Sequence, residues 1–300
     1  MHLDLYKALA GVIVGFVIGL TGMGGGALMT PTLVLLFGVN PGTAVSADVV
    51  TSLVLKPFGG GIHVMRRTVN WRLVQWLIVG SVPSAFLGAY LLDDIIGSDN
   101  AHTVKRILGW VLLVAAGAIL AKLVLVARSK NAAATEMMDV RLVRPIPTLL
   151  IGALGGLIVG MTSVGSGSLI IVMLMLLYPK LSSKEMVGTD LIQAIPLVGA
   201  AAIGHYLFGK LDMSIITSVL IGAVPAVMVG AHFSSTKADR YIRPVLVVVL
   251  TISALGLLDV PNRWLLAVTI VAIAVLAGLF VRMRRNEKRA LAAADIAPPG

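Results

Sequence analysis

The strongest constraint on this chain is an internal repeat. Residues 11–31 (GVIVGFVIGLTGMGGGALMTP) recur as residues 152–172 (GALGGLIVGMTSVGSGSLIIV) at an offset of 141. One inserted residue near Lys180 changes the offset to 142, and Asp48 then corresponds to Asp190. An apolar chain built from two such halves is typical of secondary transporters, in which the substrate site lies where the repeats meet.

The composition is that of an integral membrane protein. Of the 300 residues, 58% are hydrophobic and 13% are charged, and the mean hydropathy is +0.97, which excludes a soluble globular domain. The chain has no cysteine, so disulfides and thiolate metal sites are excluded, and we expect no cofactor. Apolar stretches long enough to cross the hydrocarbon core predict spans at 43–63, 72–92, 104–126, 184–206, 213–231, 243–258 and 264–282.

The lysines and arginines divide the loops into two sets. Seventeen of the 24 lie in one set and five in the other. The positive-inside rule places the richer set, which includes the stretch 127–146 and the C-terminal tail, in the cytoplasm. The N-terminus is then predicted outside and the C-terminus inside. Because the net charge of +10 is carried by these loops, it does not indicate a nucleic-acid partner.

The same assignment makes each glycine-rich region a hairpin. Span 184–206 accounts for one crossing, so 147–178 must cross an even number of times, and the same reasoning applies to 8–37. Arms of about 14 and 11 residues are shorter than the roughly 20 that a full span requires, which favours re-entrant hairpins. A hairpin plus three spans crosses an odd number of times, so the second repeat must be inverted relative to the first.

The predicted fold class is therefore an all-α integral membrane protein. It contains two inverted repeats, each a re-entrant hairpin plus three transmembrane helices, and one extra C-terminal transmembrane helix. The predicted divisions are 1–126 (first repeat), 127–146 (cytoplasmic linker), 147–258 (second repeat), 259–282 (extra helix) and 283–300 (cytoplasmic tail).

Glycine recurs at every fourth position in the first arm of each hairpin. Such a ridge lets another helix approach closely, and we interpret it as a packing surface. The glycines are Gly11, Gly15 and Gly19 in the first copy and Gly152, Gly156 and Gly160 in the second.

Each hairpin turns through a segment that cannot form good helix. We name Thr21–Gly26 the first bend and Thr162–Gly167 the second bend. Irregular backbone at membrane depth is tolerated only where it is buried in protein or lines a cavity. A helix begins after each bend and offers amide donors and the positive end of its dipole. Two bends that enter from opposite faces therefore predict an anion site near the midplane.

Lys56 is the ionisable residue that most favours an anionic substrate. A charge inside span 43–63 costs about 3 kcal/mol or more unless it is compensated; pairing with a carboxylate or a lipid phosphate is the alternative. The candidate substrate-binding residues are Thr21, Gly22, Met23, Gly24, Gly25, Gly26, Thr51, Ser52, Lys56, Thr162, Ser163, Val164, Gly165, Ser166, Gly167 and Gln193.

The repeat-equivalent aspartates Asp48 and Asp190 have two interpretations. Either they accept hydrogen bonds from bend amides, or one of them carries a proton and couples transport to the proton gradient. The first role is favoured because free amides need acceptors. We interpret His63 and His205, near the ends of their spans, as histidines that satisfy a helix C-terminus rather than as proton carriers.

Two alternatives stay open. One is a cation-coupled anion uptake carrier with Asp48 and Asp190 as ion ligands. The other is an intramembrane hydrolase that uses Ser166 with His205, which is disfavoured because Gly25 is the repeat equivalent of Ser166 and a serine and a histidine alone do not make a site. The expected partners are a small anion and membrane lipid, and the sequence leaves a homodimer open.

Three motifs resemble the TauE/SafE sulfite exporter family. They are G-x-T-G-x-G-G-G-x-L-x-x-P (Gly19 to Pro31), V-S-A-D-x-x-T-S (Val45 to Ser52), and a degenerate second copy around Gly160–Gly167 and Gly188–Asp190. The resemblance covers roughly residues 8–282 and implies that the chain exports sulfur-containing anions, such as sulfite or sulfoacetate, across a bacterial inner membrane. The family pattern does not account for Lys56.

Overall fold

The computed structural model describes residues 4–21, 25–65, 67–97, 100–129, 143–179, 181–233, 236–261, 263–271 and 274. Secondary structure in these ranges is helical, apart from one isolated bridge between Gly165 and Gly167. The prediction of an all-α fold is therefore confirmed. Gly22, Met23 and Gly24 of the first bend, most of the linker and the tail 283–300 lie outside the described residues.

The described ranges contain ten α-helices in chain order. A π-helical segment, Leu91–Gly97, continues α4, and a last helical stretch covers 263–271. The α-helices are α1 (Leu5–Thr21), α2 (Gly26–Phe37), α3 (Pro41–Met65), α4 (Trp71–Tyr90), α5 (Ala101–Ser129), α6 (Pro145–Thr162), α7 (Leu169–Leu177), α8 (Ser183–Phe208), α9 (Met213–Phe233) and α10 (Thr236–Leu257).

Within these ranges, five helices are long and apolar enough to cross a membrane. They cover Trp71–Asp94, Ala101–Ala121, Pro145–Thr162, Lys184–Phe208 and Met213–Phe233. The predicted spans 43–63 and 243–258 also coincide with helices, α3 and α10, although neither is among these five.

The first arm of each hairpin is longer than the sequence predicted. Helices α1 and α6 have 17 and 18 residues, so the expectation of about 14 residues is wrong for both. Helix α6 begins with Pro145 at its first position, where the fixed φ of proline suits a helix start. The second arms are short, with 12 residues in α2 and 9 in α7.

The glycine ridges pack against helices from the other half of the chain. Helix α1 lies along α9, and α6 lies along α4. A Cβ atom added at Gly15 would lie 2.7 Å from the Ala223 Cα, and one added at Gly156 would lie 2.7 Å from the Ser81 Cα. Both members of each pair are repeat equivalents, so the same contact is made twice. The interpretation of the ridges as packing surfaces is confirmed.

The partner helices α4 and α9 supply glycines of their own to these contacts. A Cβ atom at Gly80 or Gly88 would overlap backbone of α6, and one at Gly222 or Gly230 would overlap backbone of α1. Since small residues meet on both sides, each helix pair is in backbone-to-backbone contact, as in tightly packed transmembrane helices.

Helices α3 and α8 pack against each other, and each also contacts a hairpin. Large apolar side chains are exposed on the outer helices, among them Trp110 on α5, Leu154 on α6 and Ile221 on α9. An exterior of this kind suits contact with lipid rather than with water. Asn70 caps α4 through Leu73 N and donates its own backbone N–H to Thr189 Oγ1, 3.0 Å away. The start of α4 is therefore tied to α8.

A Gly156→Ala substitution tests the cross-repeat contact. The added methyl group would overlap the Ser81 carbonyl oxygen and Ser84 Oγ, so we expect a loss of about 1–3 kcal/mol in stability. The measurement is the thermal unfolding midpoint in detergent. The matched control is Gly117→Ala on α5, where nothing lies within 4 Å of the added atom and helix propensity predicts a small gain. Equal midpoints for the two variants would contradict this packing.

Candidate functional site

The two bends meet at the centre of the fold. A Cβ atom added at Gly26 would overlap the carbonyl group of Ser163, so the backbone of the first bend lies directly on that of the second. Gly25 and Gly26 are the residues of the first bend beyond Thr21 that the structure describes. Through them the structure brings together two segments that are 141 residues apart in the sequence.

The second bend is held in a backbone conformation that few residue types tolerate. Gly165 has φ 130 and Gly167 has φ 89, both outside the range usual for L-residues. Ser163 also has a positive φ, 59, which is uncommon for a residue with a side chain. Its Oγ is buried and interacts with the carboxylate of Asp48. The strained bend therefore places a hydroxyl beside this aspartate.

Asp190 on α8 holds the second bend. Its Oδ2 accepts a hydrogen bond from the backbone N–H of Gly167 at 2.6 Å, and its Oδ1 accepts one from Gln193 Nε2 at 3.0 Å. Gln193 Oε1 in turn accepts from Ser81 Oγ at 3.2 Å. All these side chains are buried. One carboxylate therefore links the second bend, α8 and, through Gln193, α4.

Asp48 on α3 occupies the equivalent place beside the first hairpin. Its Oδ2 accepts from Thr30 Oγ1 at 2.6 Å, and its Oδ1 accepts from Ser52 Oγ at 3.3 Å. A Cβ atom added at Gly25 would lie 3.0 Å from Ser52 Oγ and 3.3 Å from Asp48 Oδ1. The carboxylate therefore fastens α2 to α3 directly beneath the first bend, with a threonine donor in place of the bend amide used by Asp190.

Lys56 reaches from α3 to the second bend. Its Nζ donates a hydrogen bond to Ser166 Oγ at 2.6 Å, and the side chain is 6% exposed. Asp48 and Asp190 both act on the ammonium electrostatically. An ammonium group has three N–H donors, and among the described residues Ser166 is its one hydrogen-bond acceptor. The Ser166 hydroxyl proton is left to donate elsewhere.

Three candidate threonines use their hydroxyl protons within the backbone. Thr21 donates to the Val17 carbonyl at 2.8 Å and Thr51 to the Ala47 carbonyl at 2.8 Å. Thr162 donates to a carbonyl of its own helix and accepts from the Val164 backbone N–H, 3.2 Å away. In this conformation these hydroxyls are acceptors rather than donors toward a ligand, and Gln193 is likewise engaged. The buried donors at the junction belong to Lys56, Ser163 and Ser166, and the Ser163 hydroxyl also interacts with Asp48.

Sequence reasoning missed two polar side chains that complete the site. Thr30 and Ser81 lie on α2 and α4, in apolar stretches that gave no reason to single them out. Their signal was weak but present, since each is a small hydroxyl residue buried in a membrane helix and such residues commonly bond across helices.

His205 lies in the last turn of α8, where the sequence predicted it, but its ring bonds to groups outside that helix. The ring is fully buried, with its Nδ1 2.5 Å from Asp93 Oδ2 and its Nε2 2.9 Å from the carbonyl oxygen of Gly160. Gly160 lies near the C-terminus of α6, so the ring does meet a carbonyl at a helix end, whereas its second partner, Asp93, was not predicted. The described residues do not include the side chain of His63.

An all-helical fold, with helices long and apolar enough to cross a membrane and buried polar residues between the two halves, is typical of membrane transporters. The chain belongs to the Sulfite exporter TauE/SafE family, whose pattern it matches over residues 7–257. The family resemblance drawn from the motifs is therefore confirmed.

Three curated relatives from Bacillus subtilis (strain 168) carry the description probable membrane transporter protein. YjnA is 36% identical over 252 residues, which cover 83% of this chain and 98% of the relative. YdhB is 27% identical over 237 residues, 78% of this chain and 90% of the relative. YunE is 33% identical over 112 residues, 36% of this chain and 40% of the relative. No solved structure matches the chain.

An Asp190→Ala substitution tests the anchor of the second bend. It leaves the Gly167 N–H and Gln193 Nε2 buried without their acceptor, so we expect a loss of about 1–3 kcal/mol in stability. The measurement is the thermal midpoint in detergent, compared with Asp94→Ala at an exposed carboxylate of the π-helical segment. The anchoring role is refuted if both variants unfold at the wild-type temperature.

Proposed function

We propose that this chain is a secondary transporter that exports small sulfur-containing anions, such as sulfite, sulfoacetate or another sulfonate, by alternating access. The family supports this class of cargo, and the chemistry at the junction of the bends supports an anion. The relatives' names state membrane transport and no cargo. The candidate substrate contacts are the bends together with Thr51, Ser52, Lys56 and Gln193.

The observation that carries the proposal is the buried ammonium of Lys56 beside the second bend. A buried charge is costly unless it is paired and hydrogen-bonded. A sulfonate or sulfite oxyanion would accept from this ammonium and from the hydroxyls of Ser166 and Ser163. The first amides of α2, which begins at Gly26, add the positive end of a helix dipole. These donors come from both halves of the chain.

The reciprocal glycine contacts support inverted repeats and a rocking motion. Helices α1 and α6 are repeat equivalents, and each is packed against the equivalent helix of the other half, α9 or α4. We infer that each hairpin moves with the helix it is packed against, so α1 moves with α9 and α6 with α4. Rocking of one pair against the other would expose the bends to alternate faces of the membrane.

The proposed location is the bacterial inner membrane, with the N-terminus outside and the C-terminus in the cytoplasm. The loop charges support this orientation, and family membership supports the location. We keep the divisions 1–126, 127–146, 147–258, 259–282 and 283–300 as part of the proposal.

Charge balance supports coupling to a proton. Two ionised carboxylates, Asp48 and Asp190, and one ammonium, Lys56, leave the site with one net negative charge, which an anion would increase. Asp190 is a poor carrier of a compensating proton, because its partners Gly167 N and Gln193 Nε2 are both donors. Asp48 interacts with the hydroxyls of Thr30, Ser52 and Ser163, which can reverse their direction, so it stays a candidate. A cation-coupled uptake carrier would instead use both aspartates as ion ligands.

Hydrolysis is not favoured by this arrangement, and we propose that the chain is not an enzyme. Ser166 is bonded to Lys56, whereas the bonds of His205 go to Ser46, Asp93 and Gly160. The serine and the histidine of the hydrolase hypothesis are therefore engaged separately.

A Lys56→Met substitution is expected to weaken anion binding. It removes a charge-assisted hydrogen bond worth roughly 1.5–3 kcal/mol, which corresponds to a rise in Kd of about tenfold or more. Binding is measured as solute-induced thermal stabilisation of purified protein over sulfite, thiosulfate, sulfoacetate, taurine and carboxylates. Lys7→Met, at a lysine paired with Asp4 outside the bends, is the matched control. An unchanged Kd for Lys56→Met removes this lysine from the site.

A Ser166→Ala substitution separates transport from hydrolysis. Loss of one neutral donor costs roughly 0.5–1.5 kcal/mol, so we expect uptake into proteoliposomes to continue with an affinity reduced up to about tenfold. Ser168→Ala, also buried but at the start of α7, controls for packing. If Ser166→Ala bound the anion normally but no longer took it up, the serine would have a role beyond binding, as the hydrolase hypothesis requires.

A further inference from the structure

The ring of His205 is surrounded by hydrogen-bond acceptors. Nε2 lies 2.9 Å from the Gly160 carbonyl oxygen, which can only accept. Nδ1 lies 2.5 Å from Asp93 Oδ2 and 3.3 Å from Ser46 Oγ. The Ser46 hydroxyl proton is donated to the Gly42 carbonyl at 3.0 Å, so toward the ring the Ser46 oxygen is an acceptor as well.

These contacts require a proton that a neutral histidine and a carboxylate do not supply. A neutral imidazole has one N–H, which can face Gly160 or Asp93 but not both. The other nitrogen would then present its lone pair to an oxygen. Both contacts are satisfied when one additional proton lies on the pair, as an imidazolium with N–H at both nitrogens or as a protonated Asp93 that donates to Nδ1.

His205 is the neighbouring group that can compensate the charge of the Asp93 carboxylate. Both side chains are buried at 0% side-chain exposure, and Asp93 Oδ1 has no hydrogen-bond partner within the described ranges. Helix α4 contributes Phe86 and Ala89 next to Gly204, while α3 contributes Ser46 and α6 the Gly160 carbonyl.

Among the described residues, the next charged groups along the π-helical segment and after α8 are Asp94 and Lys210, and both are exposed. Asp94 interacts with the hydroxyl of Tyr90. The pair is also present once rather than twice, because the repeat equivalents of Asp93 and Ser46 are Ser235 and Gly188.

The pair connects the elements that form the anion site. Gly160 lies three residues before Ser163 of the second bend, and Ser46 lies two residues before Asp48. Loss of the proton would place a lone pair against either Asp93 or Gly160, and repulsion would open that contact. A change at His205 is therefore passed to α6 and α3, which carry the second bend and Asp48.

We propose that His205 and Asp93 form a proton-binding site whose occupancy is coupled to anion transport at the bends. The reaction is the release of one proton to water, which converts the bridged pair into neutral His205 and ionised Asp93, and its reverse. This inference rests on the proposed transport function and assigns the coupling proton to this pair rather than to Asp48 or Asp190.

The test uses the full chain reconstituted in proteoliposomes with the membrane potential clamped at zero. The probe is radiolabelled sulfoacetate, whose sulfonate and carboxylate are both ionised between about pH 6 and 8, so that its charge is nearly constant. If wild type moves one proton with each anion, the steady-state ratio of sulfoacetate inside to outside the vesicles changes about tenfold for each unit of pH gradient. His205→Gln and Asp93→Asn are expected to abolish this shift, while exchange at equal pH stays within about threefold of wild type.

His102→Gln is the matched control, because His102 also faces an aspartate, Asp259, at 3.7 Å, but on the surface. It is expected to keep the wild-type shift. Gradient-driven accumulation that persists in His205→Gln overturns the proposal. So does loss of the gradient response in Asp48→Asn or Asp190→Asn while both variants of the pair retain it.

A measurement on wild type keeps the proton site testable if the variants do not fold or if sulfoacetate is not moved. Infrared spectra of ring-labelled protein, recorded across pH, are expected to show a buried histidine–carboxyl pair that gains and loses one proton. A pair with constant protonation between about pH 5 and 9 would overturn the site. If no anion stabilised the wild-type protein or was transported by it, the proposed function alone would be refuted. The infrared result does not depend on the cargo.

Discussion

Backbone-to-backbone contact between the halves of the chain is the interaction on which the rest of the structure depends. The ridges of α1 and α6 have no side chains to separate them from α9 and α4, so the helices meet at their glycines. In lipid, helix association relies on such close packing because burial of apolar surface drives it little. The two contacts bring the hairpins into the other half and make the bends meet.

The bends follow from that packing. Irregular backbone cannot face hydrocarbon, since its polar groups would be unsatisfied. Here the second bend is covered by α3, α8 and the first bend, and its Gly167 amide is bonded to Asp190. The same enclosure buries Lys56, Ser163 and Ser166 at one place. Enclosing the bend in protein therefore places the donors that hold the bend next to the donors that can bind an anion.

The two repeats make equivalent glycine contacts, but their buried polar side chains differ. Asp48 and Asp190 occupy equivalent places, but one accepts from a threonine hydroxyl and the other from a bend amide. Lys56 corresponds to Val198, and His205 and Asp93 correspond to His63 and Ser235, so neither the lysine nor the histidine–aspartate pair recurs in the other half. The two halves therefore differ at the residues that we propose to bind the anion and the proton.

The sequence alone determined the membrane-protein class, the all-α fold and the packing role of the glycines, because hydropathy, helix periodicity and glycine spacing are local properties. It misjudged the length of the first arms, since helix ends depend on caps such as Pro145. Only the tertiary structure decided that Lys56 bonds to Ser166 and His205 to Asp93, pairs separated by 110 and 112 residues. Which residues pair depends on how the two halves pack together, and no local sequence pattern in either half contains this information.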